Sequence, residues 1–256
     1  MTANPYQSPE NESDLPKQQV SWAKFGLKFV TVVAVLGLII ALLLPLHRGG
    51  ARESARRASC ANNLHNIALA LRSYESDFHC LPPAYTVDAS GQPLHSWRTL
   101  ILPYIEQKEL YKKIDLSKAW DDPANQEAYN ARQPLYACPS SVAGRGKTTF
   151  FAVVAPGGCF QPTKSISFAE IKDRRDLTLL VIEVSDKYAA HWMSPQDATE
   201  EMILNREADG EFPHPGGSQA AFVDGSVRYL SGNVPADVLQ AMISIDGGDD
   251  VVARQQ

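Results

Sequence analysis

The sequence predicts an α+β protein in which a long N-terminal transmembrane helix continues into a helix packed on an antiparallel β-sheet. Three observations predict it. From Phe29 to Leu46 no charged residue occurs, a stretch long enough to cross a bilayer. From Ala51 to Phe78 neither Pro nor Gly interrupts, and Leu64, Ile67, Ala68, Leu71, Tyr74 and Phe78 recur at helical spacing. Beyond Lys147 the pattern changes to short β-branched and aromatic runs that end in an Asp-Gly turn.

The elements follow in chain order. Residues 1–23 are polar and rich in Pro, Ser, Asn and Gln, which reads as a disordered tail. Residues 24–46 form the expected anchor. A cleaved leader would have a shorter apolar core and a small-residue cleavage site, whereas Pro45, Leu46, His47 and Arg48 follow here. Lys17, Lys24 and Lys28 precede the anchor, and Arg48, Arg52, Arg56 and Arg57 follow it, so basic residues do not choose its orientation. Residues 47–80 are expected to carry the helix out of the membrane, and 81–251 to form the globular α+β domain, with 252–256 as a tail.

Within that domain "LPPAY" stops the long helix, because proline cannot continue it. A short helix broken by Pro103 is expected in "SWRTLILPYIEQKELYKKIDL", and another around Asn125 to Arg132. "TTFFAVVAP" and "LTLLVIEVS" read as strands, and "SISFAEIKDRRD" between them has a Ser and Glu170 placed to open a helix. "PADVLQAMI" reads as a small amphipathic helix.

The densest motif is "FPHPGGSQAAFVDGSVRYLS". Its Asp224-Gly225 pair, between Ser218–Val223 and Ser226–Leu230, is the strongest hairpin signal in the chain. His214 before Pro215 is biased to extended backbone, and Gly216 and Gly217 allow a sharp entry into the first strand. The motif is therefore read as architecture. His214 and Asp224 would form a hydrolytic pair only if the loop folded back and a nucleophile joined them.

Other chemistry is sparse. The net charge of -5 without long basic runs excludes a nucleic-acid footprint. The histidines are scattered without H-x-x-x-H spacing, so no zinc site is expected, and no cofactor site. Asp121, Asp122, Asp246, Asp249 and Asp250 lack the spacing of a calcium loop. Gly144, Gly146 and Lys147 lack that of a phosphate loop. Cys60, Cys80, Cys138 and Cys159 are even in number and have no C-x-x-C spacing. Two disulfides in an oxidising compartment would explain them, with three pairings open and free buried thiols as the alternative.

A hydrophobic N-terminal helix that leaves a membrane to pack on an antiparallel sheet is the architecture of type IV pilins and secretion pseudopilins. The sequence resembles a bacterial pilin-like family, domain of unknown function 1559, with a C-terminal signature of His, nine residues and Asp-Gly. That signature is His214 and Asp224-Gly225 here. "LPPAY", "SWRTLILPYIEQKELY", "WDDPAN", "YACPSS", "TLLVIEVS" and "DGGDDV" match in order. The resemblance implies a non-enzymatic, single-pass membrane protein with its C-terminal domain periplasmic or extracellular. It would interact with the lipid bilayer and with other pilin-like subunits or a secretion machine, or else act as a surface-tethered domain for a ligand or polymer. One departure stands out. Such helices open with Gly-Phe-Thr-Leu-x-Glu, whereas "FGLKFVT" puts Thr31 fifth after Gly26. The acidic residue that would pair with a neighbouring amino terminus is missing, so prepilin processing is not expected.

Overall fold

The computed structural model describes residues 22–43, 48–206 and 211–247. It divides into two compact units between Arg48 and Gly49. The first holds helix α1 (Trp22–Leu43). The expectation of a transmembrane helix is corrected here: among the described residues no helix is long and apolar enough to cross a membrane. The side chains of α1 are described over 26–40, fewer than the roughly 20 apolar residues that a crossing takes. The hydrocarbon layer is about 30 Å thick. Helix α2 (Arg48–Phe78) follows α1 in the chain. Residues 44–47, and the tails expected at 1–23 and 252–256 apart from Trp22 and Ala23, lie outside the described residues.

The second unit is built on a five-stranded sheet. Its strands are β4 (Phe150–Val154), β5 (Leu179–Glu183), β7 (Ala198–Thr199), β8 (Gly217–Phe222) and β9 (Val227–Ser231), in the order β7-β4-β5-β8-β9. Three pairings are antiparallel, but β7 pairs with β4 in parallel, so the sheet is mixed rather than antiparallel. Two small ladders flank it: β1 (Tyr85–Val87) with β2 (Pro93–Ser96), and β3 (Lys147–Thr148) with β6 (Ala190–His191).

Both faces of the sheet are covered, which explains why its strands read as nearly continuous apolar runs. Phe150 and Ala152 of β4 face one way and Phe151 and Val153 the other, as strand alternation requires. On the first face lie Cys60, Leu64, Ile67, Ala68 and Leu71 of α2, all fully buried. Their spacing is the helical stripe seen in the sequence. Helix α2 closes at His79, whose φ of 57° breaks the helix before the prolines. The second face packs against α6 (Glu200–Leu204) and α7 (Ala236–Ile243).

Between α2 and β4 the α-helices are single short turns: α3 (Trp97–Leu100), α4 (Lys108–Tyr111) and α5 (Gln126–Tyr129). Pro103 breaks the first pair as expected. "SISFAEIKDRRD" forms turns instead of a helix, although Glu170 accepts from the Ser167 backbone N–H at 2.9 Å, as a capping pair would.

Candidate functional site

The C-terminal signature is one continuous device, but its two ends do different things. His214 and Gly217 exchange backbone hydrogen bonds of 3.3 and 3.1 Å, which folds Pro215 and Gly216 into a tight loop that feeds β8. A Cβ on Gly217 would stand 2.3 Å from the Leu230 carbonyl, so only glycine lets β8 approach β9 here. At the far end Gly225 takes a φ of 89°, and its N–H donates to the Phe222 carbonyl at 2.9 Å. The turn docks on α2: the Gly225 carbonyl meets His65 Nδ1 at 3.1 Å, and Arg72 donates to the Asp224 carbonyl. Strand β8 thus separates His214 from Asp224. They do not form a pair.

His214 meets two residues absent from the sequence reading. Its side chain is fully buried; Nδ1 lies 2.7 Å from Glu53 Oε1 on α2, and Nε2 lies 3.0 Å from Glu183 Oε2 at the end of β5. Burial alone would lower the imidazole's affinity for a proton. The adjacent Glu183 and Glu53 outweigh it and hold His214 above its usual 6.5. Glu53 is lowered, chiefly by its hydrogen bond to His214 and further by Arg56 at 2.7 Å. Glu183 is raised, because burial outweighs the histidine.

The two contacts differ in quality. Glu53 makes a directed hydrogen bond to Nδ1. The Nε2–Glu183 contact is a 3.0 Å ion pair that lacks the alignment of a directed hydrogen bond. A carboxylate inside "LTLLVIEVS" was the available signal for Glu183, since a charge in a fully buried strand requires a partner.

Beside this cluster Cys60 of α2 is joined to Cys138, with Cα atoms 5.2 Å apart. Of the expected two disulfides only this one forms; Cys80 and Cys159 are free thiols. Burial pushes Cys159 up to about 12, which makes it inert. The bridge ties the "ACPSS" turn to α2, and Ser140 Oγ reaches 3.5 Å from Glu53.

A second charged pair is buried on the other side of β4. Arg98 on α3 and Asp197, just before β7, lie 2.6 Å apart with side chains 0% and 2% exposed. Every polar group of this pair is occupied. Arg98 also donates to the Phe150 carbonyl and to Ser96 Oγ, while Asp197 accepts from Trp97 Nε1 and the Ala152 N–H. Burial pushes Asp197 up to about 6 against these partners.

The acidic residues considered for calcium do other work. Asp122 caps the Ala124 N–H at 2.8 Å, and Asp246 pairs with Lys172 at 2.8 Å; Asp249 and Asp250 lie outside the described residues.

The chain belongs to the family described as "Protein of unknown function (DUF1559)", whose model matches residues 50–208. That span includes Glu53, Cys60, Cys138 and Glu183 and ends before His214. No curated protein and no solved structure matches the chain.

Proposed function

We propose that the protein is a non-enzymatic interaction module of the pilin-like kind, whose apolar N-terminal helix assembles with the same helix of other subunits. The observation that carries this reading is α1 itself. Over 26–40 it exposes large apolar side chains on every side, from Leu27 at 70% to Ile39 at 47%, and Lys28 is the only charge. Thr31 spends its hydroxyl on the Leu27 carbonyl at 2.8 Å, so it offers no polar face. A helix apolar all round must be buried. A groove would cover one stripe of it, whereas a bundle of like helices covers every side.

Two features of the globular unit support the same reading. Both ring nitrogens of His214 face carboxylates, which leaves the imidazole poorly placed to take a proton from a nucleophile. The Cys60–Cys138 bridge favours an oxidising compartment, and hence a periplasmic or extracellular domain, as part of a surface fibre or secretion machine.

Single cysteines at Val33 and Leu36, in a Cys80→Ser background, test the assembly. Crosslinked dimers and higher species at both positions are the expected result. Monomers under crosslinking conditions that trap a known helix pair would overturn the reading.

A second reading, binding of an anionic ligand or polymer, rests on a cleft lined by Trp120, Tyr129, Arg132, Arg145, Lys147 and His191. Tyr129 and His191 stack with ring centres 4.1 Å apart, and the three cations stand at the rim. It predicts salt-sensitive retention of the chain on an acidic polysaccharide, lost in Arg132→Ala/Arg145→Ala.

A further inference from the structure

The buried ion pair of His214 Nε2 and Glu183, less well directed than the bond from Nδ1 to Glu53, lies beside a disulfide. The Sγ atoms of Cys60 and Cys138, a Glu183 carboxylate oxygen and a His214 ring nitrogen all lie within 4.8 Å of one another, and all four residues are buried. We propose that these four side chains form a latent structural zinc site, closed by the disulfide in the oxidised chain and available to the metal when that bridge is reduced.

The donor set suits zinc in particular. Two thiolates, one imidazole and one carboxylate are the ligand types that a borderline-soft, tetrahedral ion takes, and four protein ligands leave no open position. Hard calcium or magnesium would reject the sulfurs. The ligands come from separate parts of the chain: α2, the turn at 138, the end of β5 and the loop before β8. Their convergence therefore leaves no spacing in the sequence. Glu53 completes the arrangement from outside. Its bond to Nδ1 holds the ring so that Nε2 points at the cluster, the role a carboxylate plays behind a zinc-bound histidine.

The chemistry balances with a reductant of the phosphine class. The phosphine donates two electrons to the S–S bond and takes the oxygen of one water, whose two protons convert the separated sulfurs to thiols. Zinc then replaces those two protons, which leave to solvent, and binds both thiolates together with neutral Nε2 and the Glu183 carboxylate. An oxidant of the small-molecule disulfide class reverses the exchange: it takes two electrons from the thiolates and two protons from solvent and leaves as two thiols, while the sulfurs rejoin and zinc is released.

The test uses the full chain with Cys80→Ser, which removes the accessible thiol and leaves Cys159 buried. Zinc content after desalting is measured with and without phosphine, and cobalt is substituted as a spectroscopic probe. The expected result is a single zinc ion per reduced chain and none per oxidised chain, with a thiolate-to-cobalt charge-transfer band. Glu53→Gln should weaken zinc binding by about 10- to 100-fold while leaving that band in place. Equal zinc content in the two redox states would overturn the proposal, as would cobalt uptake without the sulfur band. So would a reduced chain that unfolds and does not refold when zinc is added. Unchanged affinity in both Glu183→Gln and His214→Gln would reduce the site to its two thiols and overturn it as well.

Discussion

Arg98–Asp197 and His214–Glu183 are both charged pairs excluded from water, one beside β4 and the other at the end of β5, yet they are finished to different degrees. Around Arg98 the guanidinium, the carboxylate, an indole N–H and two backbone groups satisfy one another completely. Around His214 one contact is directed, and Nε2 meets Glu183 only as a 3.0 Å ion pair without that alignment. A satisfied buried network specifies how elements dock, and replacing it with apolar groups of similar shape costs little. A less directed one offsets less of its desolvation cost, which makes the second cluster the candidate for chemistry.

The largest effect should come from breaking the finished pair. Asp197→Ala leaves a buried guanidinium, an indole N–H and the Ala152 N–H without their acceptor. It should lower unfolding free energy in urea by about 3–5 kcal/mol. The double change Arg98→Met/Asp197→Leu should recover the part of that loss due to the unpaired guanidinium and leave the part due to the indole and Ala152 N–H groups; if it is as damaging as the single change, the pair is more than a docking device. Next, Cys60→Ser removes a bridge across a sequence separation of 78 and should cost about 2–4 kcal/mol, read from the same urea transitions.

A smaller effect is expected at the hairpin that docks on α2. Gly225→Ala forces a side chain into a φ of 89° and towards Arg72, which should cost about 1–2 kcal/mol. Gly157→Ala, with a φ of 76° and open space around it, isolates the conformational part of that cost. The smallest effect belongs to Glu170. It is lowered by the Ser167 N–H and Lys164, so its contribution is present above the unfolded value of 4.5 and lost as pH falls through the lower folded value. Glu170→Gln should therefore lower the melting temperature slightly at neutral pH, flatten its fall as the solution is acidified, and leave the most acidic side unchanged.

The legible parts of the fold were those with local causes. Strands β4 and β5, the Asp224-Gly225 hairpin, the stripe of α2 and the helix Ala236–Ile243 each follow from periodicity or turn chemistry within a few residues. The parallel β7 was not legible, because two residues carry no pattern and its partner is more than forty positions away. Glu53 carries no local signal, because its partner is 161 residues on. The apolar N-terminal run was legible as a helix, but its reading as a membrane crossing went beyond what the described helix supports.

Composition and local pattern by themselves determined an α+β domain with an apolar N-terminal helix and a Gly-dependent C-terminal hairpin, because backbone conformation and side-chain periodicity act over one or two turns. Tertiary structure alone decided which cysteines pair, that His214 faces glutamates instead of Asp224, and that Arg98 finds Asp197. Those choices depend on which buried groups the packed layers bring within reach of one another, and desolvation penalises every buried charge that is left without a partner.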